Sequence, residues 1–175
     1  MKKITILILI LLLSKCNGSD SNPINETELN LITGLNLIDN SGSPAGKFGN
    51  PNVFTNNRLS VYPIPANQRI YIKSGSNERI NAVWIIPANA EKIYQQTDFN
   101  SILNNETYNE NQIKPIAEIE FLELNTSYIS LNLKNLKPGY YRIFMKIENS
   151  LYWENIYIPD GTEGFGLENM RDFWN

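Results

Sequence analysis

Between Leu59 and Ile158 apolar side chains recur at every second residue in short runs, and the runs are separated by proline, glycine, asparagine and serine. A period of two puts successive side chains on opposite faces of an extended chain, so the pattern calls for strands that each bury one face. Arg69-Ile70-Tyr71-Ile72-Lys73 alternates cleanly, with Leu59-Ser60-Val61-Tyr62 before it and Ser74-Gly75-Ser76-Asn77 after it. Ile80 to Ile86 is apolar on both parities, which predicts a strand covered on two faces and stopped at Pro87. Ala117 to Leu124 sets Ile119 and Phe121 on one face, and Ser127 to Leu133 does the same with Ile129, Leu131 and Leu133. Tyr140 to Ile147 aligns Tyr141, Ile143, Met145 and Ile147, and Asn149-Ser150 then turns the chain into Leu151 to Ile158, a hairpin. About seven strands at this spacing with almost no helix predict an all-β chain, a single antiparallel β-sandwich of immunoglobulin-like type over residues 58–159. The polar interval from Asn89 to Lys114 reads as surface loop with one capped helix over Asp98 to Leu103.

Ahead of the strands, Lys2 and Lys3 precede an apolar run from Ile4 to Leu13. That is the order of a secretory signal peptide, and as a helix the run covers only about half of a ~30 Å hydrocarbon core. It ends in Leu13-Ser14-Lys15-Cys16, with the chain's only cysteine last. This resembles the lipobox of bacterial lipoproteins, with Lys15 standing where that family normally has Gly, Ala or Ser. The resemblance implies removal of residues 1–15, a diacylglycerol on the Cys16 thiol and a palmitate-type acyl chain on the new N-terminus. Chains contributing about 0.8 kcal/mol per buried CH₂ would hold the protein on a membrane, with the outer membrane of the cell envelope the expected site. Residues 16–57, rich in Gly, Ser and Pro, read as a lipidated N-terminus and mostly flexible tether. Leu29 to Ile38 is the exception, apolar enough to dock on the domain as a strand or short amphipathic segment. Residues 160–175 form an aromatic tail that folds back over the sandwich or hooks another protein.

A second resemblance lies in the strand region. Leu59-Ser60-Val61-Tyr62-Pro63-Ile64-Pro65-Ala66-Asn67 with Ile70-Tyr71-Ile72, and Leu136-Lys137-Pro138-Gly139-Tyr140-Tyr141 after Ile129 to Leu133, are similar to the C-terminal sorting domains of the Bacteroidetes type IX secretion system. That family begins with a Tyr-Pro-Asn-Pro-like turn between strands and enters a later hairpin through Leu-x-x-Gly-x-Tyr. The resemblance implies a small seven-stranded sandwich over residues 57–159 that directs export to the cell surface.

Little in the chain can do chemistry. It has no histidine, and its one cysteine is expected to carry lipid, which removes the usual general base, Cys/His nucleophiles and zinc sites built on those ligands. Glu118 and Glu120 share a strand face opposite Ile119 and Phe121, the position of a solvated face rather than a catalytic pair. The expectation is therefore a chain that is not an enzyme and takes no cofactor or metal. Without its leader the chain carries twelve basic against eighteen acidic residues, which argues against nucleic acid as a partner. The expected partners are a membrane, through lipid on Cys16, and a protein or a glycan contacted through Tyr140, Tyr152, Trp153, Phe173 and Trp174, whose rings can stack or anchor. Trp84 reads as core. Three functions follow from these readings: a lipid-anchored, non-catalytic interaction module, a sorting domain for surface export, or a glycan-binding surface module.

Overall fold

The computed structural model describes residues 27–54, 57–75, 78–93, 107–161 and 165–175. The leader, Cys16 and the helix expected over Asp98 to Leu103 lie outside the described residues. In chain order the strands are β1 (Leu31–Ile32), β2 (Gly34–Ile38), β3 (Pro44–Gly49), β4 (Leu59–Tyr62), β5 (Arg69–Ser74) and β6 (Ile80–Pro87). They continue with β7 (Asn89–Ala90), β8 (Ile119–Phe121), β9 (Tyr128–Asn132), β10 (Gly139–Ile147) and β11 (Ser150–Ile158). A short helix spans Glu110–Ile113 and a C-terminal helix spans Phe165–Trp174.

Seven of the strands make the sandwich. A three-stranded sheet in the order β4-β5-β9 faces a four-stranded sheet in the order β11-β10-β6-β8, every pair antiparallel. The chain starts in the first sheet, crosses at β6, returns at β9 and crosses again into the β10–β11 hairpin, an immunoglobulin-like arrangement. The alternating residues meet where the period of two puts them. Val61, Ile70, Ile72 and Leu131 from one sheet pack on Val83, Ile85, Tyr141, Ile143, Met145 and Ile156 from the other.

Two-parity burial of β6 has a plain cause. Ala82, Trp84 and Ile86 point out of the sandwich into a second apolar cluster with Phe144, Leu151, Trp153, Val53, Tyr108 and Ile113. At the start of the strand a bulge offsets Ile80 from Ala82 against β10. Asn81, between them, accepts a hydrogen bond from the Glu148 backbone at 2.7 Å through its side chain. The outer face of the four-stranded sheet is therefore a second interior, roofed by the N-terminal segment, the short helix and the C-terminal helix.

That roof corrects the tether reading of residues 16–57. From residue 27 the segment is built into the domain: β1 pairs in parallel with β7, β2 and β3 form a hairpin, and Ile32, Leu35 and Asn52 are fully buried. Docking of the Leu29 to Ile38 stretch follows its apolar content. Ser41, Gly42 and Ser43 make the turn between β2 and β3, where Asp39 accepts from the Ser41 and Ser43 backbones at 2.8 and 2.9 Å, while Gly34, Pro44, Gly46 and Gly49 lie in the strands themselves. The aromatic tail is a helix folded back on the sheet, with Met170 and Trp174 buried. Within the interval read as loop, Asn109 caps the short helix, its side chain accepting from the Gln112 backbone at 3.2 Å while Gln112 accepts from the Asn109 backbone at 3.0 Å.

Candidate functional site

The two sheets differ in what covers them. On the four-stranded sheet each row of outward side chains has a partner. Tyr140 and Tyr157, opposite each other on β10 and β11, stack against the C-terminal helix, with the Trp174 ring 6.2 Å from Tyr140. The next row, Arg142 and Asn155, holds the N-terminal segment: Arg142 donates to the Leu29 and Leu31 carbonyls and, at 3.0 Å, to the Tyr108 hydroxyl. The third row, Trp84-Phe144-Trp153, lies beneath Val53, Tyr108 and Ile113.

Among the described residues only the β2–β3 turn, at Gly42, reaches the outer face of the three-stranded sheet, at its Tyr62 border. Its outward positions are Ser60 and Tyr62 on β4, Arg69, Tyr71 and Lys73 on β5, and Tyr128, Ser130 and Asn132 on β9; Val61, Ile70, Ile72 and Leu131 alternate with them into the core. Register brings three tyrosines together. Tyr62 and Tyr71 are direct cross-strand partners with ring centroids 5.6 Å apart, and Tyr128, diagonal to Tyr71, stacks on it at 6.0 Å and 16°. Tyr128 is 48% exposed, and Tyr62 and Tyr71 are half-buried. The ring of Tyr62 rests on Gly42 of the β2–β3 turn, at a distance where a Cβ would just touch it. Arg69 reaches across to the Ser130 hydroxyl at 3.3 Å, and Lys73 lies at the other side of Tyr71. None of these outward positions is acidic. Asp39, in the adjoining turn, has its carboxylate engaged by Ser41 and Ser43, which hold its pKa below the ordinary value.

The aromatic residues singled out from the sequence are mostly elsewhere. Tyr152 faces the sandwich interior at 1% exposure, and Trp153 is 2% exposed, its indole donating to the Asn52 carbonyl at 2.9 Å. Their burial leaves no ring face for a sugar or a partner, because both sit on a strand whose two faces are covered. Trp84 is wholly buried, as expected of a core residue, and donates to the Glu120 carboxylate at 2.8 Å. Glu120 thus ties down a tryptophan. Tyr140 and Trp174 lie within the helix–sheet contact, where burial pushes the Tyr140 hydroxyl up to about 12. Only Phe173 keeps a large exposed face, at 38%, with the Lys92 ammonium 5.9 Å from its ring. Cys16 is outside the described residues. Sequence reasoning missed Tyr62, Tyr71 and Tyr128. Their signal was outward parity on runs of alternating residues, but their grouping depends on β5 pairing with β9 across a long stretch of chain.

A second feature is a cleft of about 300 Å³ between the β2–β3 hairpin and the edge strands β4 and β11, lined by Asn36, Leu37, Pro44, Val61, Trp153 and Glu154. Glu154 points inward from β11, opposite Ile143, and accepts from the Asn36 amide at 3.3 and 3.4 Å and from the Asn155 backbone at 3.0 Å. Burial raises its carboxyl from 4.5 to about 7. An inward charge on an edge strand is a known guard against edge-to-edge pairing, which accounts for it without a ligand.

Fold and site together define an immunoglobulin-like β-sandwich with one sheet face roofed and the other open and tyrosine-lined. No family model matches the chain, and no curated protein matches it. Among solved structures it is similar to a DUF3244 family protein with an immunoglobulin-like β-sandwich fold from Bacteroides vulgatus, at 12% identity and a TM-score of 0.36, over 57% of this chain and 82% of that one. That likeness is too loose to carry an argument, and the sandwich is read from the strand order of this chain.

Proposed function

We propose that the protein is an exported lipoprotein of the bacterial cell envelope, anchored through lipid on Cys16, whose sandwich is a non-catalytic binding module. The observation that carries the module is the difference between the two sheet faces: one is consumed in holding the fold, while the other presents Tyr71 and Tyr128 with Arg69 and Lys73, and Tyr62 beside them at the border where the β2–β3 turn reaches it. The anchor rests on the leader and on Cys16 following it. Growth with a radiolabelled fatty acid is expected to label the wild type and not Cys16→Ser; equal labelling rejects the anchor. A photo-crosslinking residue at position 71 is expected to give an adduct on intact cells that is absent when the same residue replaces Leu122, which is 47% exposed on the other sheet side of the molecule. Adducts at neither position, or equally at both, reject the open face as the binding surface.

A second reading, export sorting, is supported by where the similar motifs fall. Tyr62-Pro63-Ile64-Pro65 joins β4 to β5, and Leu136 to Gly139 enters β10. A reporter joined to the chain from residue 16 onward, in a host with the type IX machinery, would reach the surface if this reading holds and stay periplasmic if it does not. A fusion begun at residue 57 would lack Ile32, Leu35 and Asn52, which the fold buries.

A further inference from the structure

The open face has a composition that narrows its partner. Aromatic rings supply apolar surface with a polar tip, suited to the flat, partly apolar faces of sugar rings. Ser60, Ser130 and Asn132 around them supply short donors and acceptors of the kind that read hydroxyl groups. Arg69 and Lys73 flank Tyr71 on its own strand, so the face is cationic although the whole chain carries a net charge of -3. We propose that the Tyr62-Tyr71-Tyr128 strip with Arg69 and Lys73 binds an acidic polysaccharide, with pyranose rings on the tyrosines and sugar carboxylates on the two cations. This rests on the reading of that face as the module's binding surface and adds the class of its partner.

Charge complementarity separates this partner from the alternatives. A neutral glycan would leave the two cations without a role. Affinity for nucleic acid rests on the number of phosphates neutralised, and two cations on an acidic protein neutralise few. An acidic protein segment would satisfy the cations but makes no use of a strip of stacked rings bordered by hydroxyl and amide groups. The three rings are already ordered by their mutual contacts and by Gly42 beneath Tyr62, so little side-chain freedom is lost when a chain is laid across them.

The test uses residues 16–175 with Cys16→Ser, as a soluble protein, and three immobilised polymers: polygalacturonate, neutral galactan and poly-glutamate. Retention on polygalacturonate is expected, with at least about tenfold weaker retention on galactan and on poly-glutamate. Tyr71→Ser and Lys73→Glu are each expected to weaken polygalacturonate binding about tenfold. Far-UV circular dichroism checks that Tyr71→Ser is folded, and Lys73→Glu leaves all three tyrosines in place. Equal retention on poly-glutamate would mean charge alone and would overturn the proposal, as would retention that both substitutions leave unchanged. No retention on polygalacturonate while position 71 still cross-links on cells would remove the acidic glycan and keep the binding face. If both fail, the face itself is wrong.

Discussion

Arg142 and Asn155 face each other on β10 and β11, and the guanidinium Nε donates to the Asn155 side-chain oxygen at 3.0 Å with both residues fully buried. Among the described residues no carboxylate contacts the guanidinium directly; it is held by the Leu29 and Leu31 carbonyls, the Tyr108 hydroxyl and Asn155. Asn155 in turn donates to the Gly34 carbonyl at 2.9 Å and to Asn52 at 3.0 Å, and Asn52 donates to the Leu31 carbonyl at 2.8 Å. The pair is thus a polar rivet through which the sheet holds the N-terminal segment, and burial lowers the Arg142 pKa without removing its charge.

Removing the rivet should release what it holds. Arg142→Met keeps the side-chain length but strands several buried carbonyls, each costing about 1–3 kcal/mol when left without a donor. The expected loss is about 3–5 kcal/mol in denaturant unfolding, and the first protease cuts should fall within residues 27–54. Arg142→Lys should recover only part of this, since an ammonium cannot match the guanidinium's planar fork of donors. A variant that keeps wild-type stability and protection of that segment would show that the segment docks by apolar contact alone.

The strands of the sandwich were legible because period-two alternation reports directly on which side chains meet the core. The roof was not. In β10 the outward residues Tyr140, Arg142, Phe144 and Lys146 look like a mixed solvent face, and only the presence of two aromatic rings there hinted at a cover. The cover comes from residues 27–54, whose glycines and prolines resemble tether although Gly34, Pro44, Gly46 and Gly49 lie in the β2–β3 hairpin, while a few residues such as Ile32, Asn52 and Val53 do the docking. Trp84 could be placed as core from its strand, which is apolar on both parities. The open tyrosine strip required the β5–β9 pairing, which local pattern does not contain.

Gly49 and Trp174 form a second contact between distant parts of the chain. Gly49 has a φ of +58°, and a Cβ there would come within 2.8 Å of the Trp174 indole and 2.5 Å of the Thr33 carbonyl. Gly49→Ala therefore meets both backbone strain and collision, and should cost about 2–4 kcal/mol. Trp174→Ala should cost about 3 kcal/mol by exposing Tyr140 and Tyr157. In the double variant the indole collision is gone, so Gly49→Ala should cost less than it does alone, by about 1 kcal/mol in a double-mutant cycle. Strict additivity would place the cost of Gly49→Ala in its own backbone and the Thr33 carbonyl, with none from the indole.

A surface counterpart is expected to contribute far less. Glu110 bridges Lys114 at 3.0 Å and Lys146 at 2.5 Å, and hydrogen bonds from Lys146 and then Lys114 hold its carboxyl below the usual range. All three are about a third exposed or more, so solvent screens the pair, and Glu110→Gln should cost under about 1 kcal/mol at pH 7. With its folded pKa lowered, the contribution is present above about pH 4.5 and fades as pH falls through the lowered value. High salt at pH 7 should shrink the difference between the variant and the wild type.

Glu154 works in the opposite sense. Its folded pKa, raised from 4.5 to about 7 chiefly by burial, means the folded protein binds the proton more tightly than the unfolded chain does. Between those two values the folded state carries more protons, so stability is fully present below about pH 4.5 and declines as pH rises through about 7. Each unit of difference is worth about 1.4 kcal/mol, and solvent reaching the carboxylate through the cleft reduces the total, leaving on the order of 2 kcal/mol to be lost by pH 8. Glu154→Gln preserves the shape and can still receive the Asn36 amide, but it cannot ionise. Guanidinium unfolding at pH 5.5 and pH 8 should show the variant gaining on the wild type by about 1 kcal/mol between the two, the rest of the loss falling between pH 4.5 and pH 5.5. An equal shift at both pH values would mean that Glu154 is already ionised at pH 5.5 in the folded protein and that Asn36 and Arg142 outweigh its burial.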